Sequence, residues 1–143
     1  MDAISFLKQV EKLDTLIKNK LIEKSQWRDM ALGITANMEG ERVQSSSRPS
    51  KMADAIDKCV DMEAEIDSLI DKLIDSKKYV IQVLEDVNNP TWYNLLHKRY
   101  IQHKSLSDIA DDFGKSYDWA KVNHKRAVRI VQKIIDERNL DIL

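Results

Sequence analysis

Two long runs of helically spaced apolar residues flank the one stretch of the chain rich in helix breakers, and that arrangement leaves few folds open. In residues 3–38, Phe6, Val10, Leu13, Ile17, Lys24, Trp27, Ala31, Ile34 and Met38 recur at close to the heptad spacing of a coiled coil. Leu7, Leu16 and Leu21 widen this stripe, while Lys20 and Lys24 interrupt it. Asp2 stands where an N-cap is wanted, and Gly33 weakens the last turns because glycine loses the most backbone freedom in a helix. Glu39–Pro49 then breaks the period with Gly40, a run of serines and Pro49, and predicts a loop. Ser50 is the expected cap of a second helix, Lys51 to about Asp86. Its stripe is Met52, Ile56, Cys59, Val60, Ile66, Leu69, Ile70, Leu73, Val80, Ile81, Leu84 and Val87. At ~1.5 Å per residue each arm is ~50 Å long. Matched lengths and facing stripes predict an antiparallel, coiled-coil-like hairpin over residues 1–88. Each arm covers only one side of the other, so either the C-terminal helices or a second subunit must cover the remaining flank. A homodimer through the hairpin is the expectation.

Asn88-Asn89-Pro90 closes the second arm and opens residues 89–143, the expected second domain. Asn89 as cap with Pro90 at the first helical position starts a helix to about Gln102, because a proline there sacrifices no intrahelical hydrogen bond. Its buried side is Trp92, Leu95, Leu96, Arg99 and Tyr100. Ser105 caps a short helix whose apolar face is Leu106, Ile109, Ala110 and Phe113, with Asp108 as the acidic partner of a capping box. Gly114 follows at the position that favours a left-handed backbone, and Ser116 caps a further helix almost at once. Two helices joined by so short a glycine turn form the unit whose second helix enters the major groove of DNA.

Laid out at about 100° per residue, that last helix puts Ala120, His124, Ala127, Val131 and Ile134 on one stripe facing the domain. Asp118, Lys121, Val122, Lys125 and Arg129 lie opposite, with Trp119, Arg126 and Lys133 on a flank. Lys115–Lys133 holds six Lys/Arg against the single acid Asp118, a balance suited to a phosphate-lined groove.

From Tyr93 to Ile134 the chain resembles region 4 of bacterial sigma-70-type factors and the related regulators. Their pattern has the form L-x-x-R-Y, then S-x-x-E-I-A-x-x-x-G-x-S-x-x-T-V-K-x-x-x-x-R-A. Matching residues are Leu96, Arg99, Tyr100, Ser105, Asp108, Ile109, Ala110, Gly114, Ser116, Lys121, Arg126 and Ala127. Asp108 replaces Glu, Trp119 replaces Thr, Ala120 replaces Val, and His124 stands where an aliphatic residue is usual. Over nearly its full length the chain also resembles a family of small regulators encoded by phages and prophages of low-GC Gram-positive bacteria. In that family a helical hairpin precedes the helix-turn-helix, its arms joined by a segment like Arg42-Val43-Gln44-Ser45-Ser46 and Lys51-Met52-Ala53-Asp54-Ala55. The resemblance implies an all-α protein with a three-helix, region 4-like domain after the hairpin, and a role in phage transcription regulation.

The residues expected to contact double-stranded DNA are Lys115, Ser116, Tyr117, Trp119, Lys121, Val122, Lys125, Arg126 and Arg129. Some of them have a plainer alternative. The cations could be a solvated face, Arg126 could tie the helix to its own domain, and Trp119 could pack on Val122 or Arg126. His124, on the inner stripe, reads as a core histidine, and Cys59 as a packed side chain. Charge is split, with 13 Lys/Arg against 17 Asp/Glu up to Pro90 and 10 against 7 beyond it.

A lone cysteine excludes an internal disulfide and a cysteine zinc site. His97 and His103 have no spacing that would join them on one metal, and no nucleophile-base pairing or phosphate-cradling glycine loop is present. No catalytic residue, metal or cofactor is therefore expected. No apolar run reaches the ~18 residues of a membrane span, and the N-terminus lacks a signal-peptide pattern. The expected site of action is the cytoplasm of a bacterial host. One rival reading makes the C-terminal domain a module that docks on host RNA polymerase or a sigma factor without reading DNA. Another makes the chain a structural phage assembly protein.

Overall fold

The computed structural model describes the backbone of residues 1–40 and 47–138, with side chains for 1–33 and 50–138. Every element among the described residues is helical: α1 Ala3–Gly40, α2 Ser47–Glu85, α3 Pro90–Leu96, α4 Leu106–Phe113 and α5 Tyr117–Arg138. α3 runs on into one π-helical turn, His97–Ile101. No described helix is long and apolar enough to cross a membrane. The loop expected at Glu39–Pro49 falls largely on residues outside the described ones. Its two ends are helical, since α1 continues through Gly40 and α2 begins at Ser47. Ser50 therefore lies within the first turn of α2 and is not its cap. Pro49 is tolerated there because first-turn amides have no intrahelical partner to lose.

The chain divides into two compact units, Met1–Leu13 with Leu73–Leu143, and Asp14–Lys72. In the second, Lys20 pairs with Glu65 at 3.2 Å and Lys24 with Glu63 at 3.8 Å. The Cys59 thiol also donates to the Lys24 carbonyl at 3.8 Å. Partner numbers fall along α2 as they rise along α1, so the helices run antiparallel here. Ile17, Ala31, Ala55, Met62 and Ile66 are the buried apolar side chains of this unit. The α2 line of Met52, Ala55, Cys59, Met62, Ile66 and Leu69 alternates steps of three and four, the spacing that keeps a row on one face. Ala55 and Met62 were absent from the expected stripe. Ile56, Val60 and Ile70 were in it, yet each sits one position past this row and is exposed. Lys20 and Lys24, the interruptions of the α1 stripe, are half-buried and take their counter-charges from α2.

In the first unit a single core joins all five helices. Ala3, Phe6, Leu7 and Val10 of α1 meet Val80, Val83, Leu84 and Val87 of α2. Leu95, Leu96, Tyr100, Ile101, Ile109, Ala127, Val131 and Ile135 from the later elements cover them. Here, then, the C-terminal helices cover the open flank of the α1–α2 pair. Phe6 and Tyr79 meet edge-on with ring centroids 5.6 Å apart. The Ala3 amide, otherwise a free donor of the first turn of α1, bonds to Gln132 Oε1 of α5 at 2.7 Å. Gln132 Nε2 donates in turn to the Met1 carbonyl and to Asp136. Asp86 and Arg138 pair between the end of α2 and the end of α5.

Candidate nucleic-acid interface

The α4–α5 segment is shaped by its caps. Ser105 Oγ accepts from the Asp108 amide at 3.1 Å, and Ser116 Oγ accepts from the Trp119 amide at 3.1 Å. Between them Gly114 takes φ +64°. Its amide bonds to the Asp111 carbonyl, and the Lys115 amide to the Ala110 carbonyl at 2.9 Å. These two bonds satisfy carbonyls that α4 would otherwise leave open, and the left-handed residue between them turns the chain sharply into α5. Upstream, Asn89 Oδ1 caps α3 by accepting from the Trp92 amide at 3.1 Å. The π turn is closed by Gln102 donating to the His97 carbonyl, and it leads into His103 at φ +58°. Arg99, a residue of the sequence pattern, donates to the Lys104 carbonyl at 3.0 Å and holds this exit in place.

Ala120, Ala127, Val131 and Ile135 form the buried side of α5. Ile135 completes the stripe, while Ile134, expected there, lies at its edge and is half-buried. The helix advances about 100° per residue, so the stripe drifts by one position over four turns. His124 sits at the margin of the stripe, half-buried, its ring stacked on Tyr100 at 5.7 Å. Tyr100 Oη lies 2.6 Å from His124 Nε2. Burial pushes the Tyr100 phenol up to about 12. Burial first, and the nearby Arg99 charge second, hold the His124 imidazole below its ordinary value. The phenol therefore keeps its proton and the imidazole is neutral, so the hydrogen bond joins two uncharged groups. Asn123 makes a second tie, accepting from Trp92 Nε1 at 3.1 Å and donating to the Trp119 carbonyl at 2.9 Å. Nothing in the spacing of the sequence pointed to Asn123 or to the Tyr100–His124 pair.

Of the residues expected at the interface, Lys115, Ser116, Tyr117, Lys121, Val122, Lys125, Arg126 and Arg129 are all exposed. Lys121 lies 3.6 Å from Asp118 and 4.9 Å above the Tyr117 ring. Lys125, Arg126 and Arg129 make no ion pair with a described residue. Trp119 differs from its neighbours: it is half-buried, its ring against that of Phe113 with centroids 5.2 Å apart. Beside α5, Asp112 accepts from Lys104 at 2.7 Å and Lys98 at 3.3 Å, and these bonds hold its carboxyl below its ordinary value. An open hollow of about 350 Å³ is bounded by Leu106 of α4 and by Lys121, Val122, His124 and Lys125 of α5. No family model, curated protein or solved structure matches the chain.

Proposed function

We propose that this chain is a transcriptional regulator of the phage type that binds duplex DNA through a region 4-like helix-turn-helix, α4 and α5. In this reading α5 enters the major groove, and α1 and α2 form a hairpin that assembles the protein as a homodimer inside its bacterial host. The observation that supports it is the segregation on α5. Small and aliphatic side chains face the core, while Lys121, Lys125, Arg126 and Arg129 face solvent. Lys125, Arg126 and Arg129 pair with no described residue and so give up little in turning to phosphates, while Lys121 exchanges its contact with Asp118. Each phosphate contact releases a condensed counterion, so binding weakens with salt.

The test is fluorescence anisotropy of the full chain on labelled duplex DNA across a salt series. Lys125→Ala or Arg129→Ala should each weaken binding and flatten the log–log salt slope by about one unit. If both variants bind like wild type at low and high salt, the chosen face is wrong. Particle mass in solution tests the dimer, which predicts an even subunit number and a palindromic site. The exposed ring of Tyr117 favours a second reading, docking on host RNA polymerase or a sigma factor. Capture of polymerase from nuclease-treated lysate, without duplex binding, would support it.

A further inference from the structure

Val122 is the one aliphatic side chain of α5 that is exposed among the described residues, at 47%. At about 100° per residue it lies on the pole opposite the buried stripe, with Asp118, Lys125, Arg126 and Arg129 around it. Folding gives no reason for a valine there. It reaches no part of the core, and a β-branched residue is a poorer helix former than the Lys or Arg that surround it. Asp118, the other residue out of place on a cationic face, is accounted for. It sits in the first turn, where a carboxylate complements the positive end of the helix, and it pairs with Lys121.

The hollow beside Val122 has a matching character. Leu106 and Val122 give it an apolar wall, and Lys121 and Lys125 give it a cationic rim. A phosphate would need only the rim. In the major groove, thymine alone presents a methyl group, and it sets that methyl beside an acceptor oxygen. We propose that Val122 is a specificity-determining residue that packs on the C5-methyl of a thymine in the major groove. This inference rests on the duplex-binding reading and sharpens it, since it names what the centre of the cationic face recognises.

The test uses the full chain and the duplex it enriches most from a randomised pool. Each thymine is replaced in turn by uracil, which removes only the methyl. At one thymine the wild type should lose about fourfold in affinity, the burial of one methyl group. Val122→Ala should lose about the same on the thymine duplex and nothing more on the uracil one. Circular dichroism should show its helix content unchanged. Equal wild-type affinities for thymine and uracil at every position overturn the proposal. So does a Val122→Ala variant that keeps the full methyl effect. A chain that enriches no duplex overturns the binding reading as well. The two failures differ in kind, one showing binding indifferent to the methyl and the other no binding.

Discussion

Replacing Tyr100 with Phe removes one oxygen whose hydrogen-bond partner among the described residues is His124. The Tyr100 ring is 2% exposed and stacked on His124, and its hydroxyl is 2.6 Å from Nε2. Because burial holds the phenol protonated to about 12 and keeps the imidazole below its ordinary value, at pH about 8 the bond joins a neutral phenol and a neutral imidazole. The variant keeps the ring stacking and the packing volume, and it strands a half-buried ring nitrogen. The net worth of such a bond is about 1 kcal/mol, within a range of roughly 0.5–1.5. Urea unfolding followed by circular dichroism should show the midpoint lowered by that amount divided by the slope m, with m itself unchanged. In a double-mutant cycle with His124→Ala, the coupling should recover most of the same ~1 kcal/mol, because the two residues act on each other. A Tyr100→Phe protein as stable as wild type, or a coupling near zero, would refute this account of how α5 is held.

Two further outcomes follow from the same unit. Stability should fall as pH drops below 6.5, because His97 and His124 are held below that value in the fold, chiefly by burial, and the unfolded chain takes up protons first. Asp112 adds a separate loss only as pH falls through its folded value, below 3.8. A urea midpoint that stays flat between about pH 7 and about pH 5 contradicts the histidine assignment. Gly114→Ala should cost roughly 0.5–1 kcal/mol, since a left-handed alanine is disfavoured by ~1–2 and the stiffer unfolded chain returns part of that. The added Cβ meets nothing within 4 Å, so conformation alone sets the effect, and a rise in melting temperature would sink it.

Local chemistry made several features of this chain legible before any coordinates. Asn89-Pro90, Ser105, Gly114 and Ser116 act on backbone groups within four residues of themselves, so their caps and turns could be placed from the sequence. The heptad spacing of α1 was legible for the same reason, since Phe6, Val10, Ile17 and Ala31 are all buried. On α2 the apolar residues were too many for spacing alone to choose between two adjacent rows. Packing against α1 selected Ala55 and Met62 and left Ile56 and Val60 in solvent.

The ties that fix α5 belong to tertiary structure. Tyr100–His124 joins residues 24 apart, Trp92–Asn123 joins residues 31 apart, and Ala3–Gln132 joins residues 129 apart. Each side chain in those pairs has ordinary local alternatives, and only the shared core brings the partners within hydrogen-bond distance. The sequence by itself determined which stretches are helical, where α3, α4 and α5 begin, and which side of α5 is charged. The folded chain decided which residues hold α5 in place, because a contact between distant residues exists only once the core between them has formed.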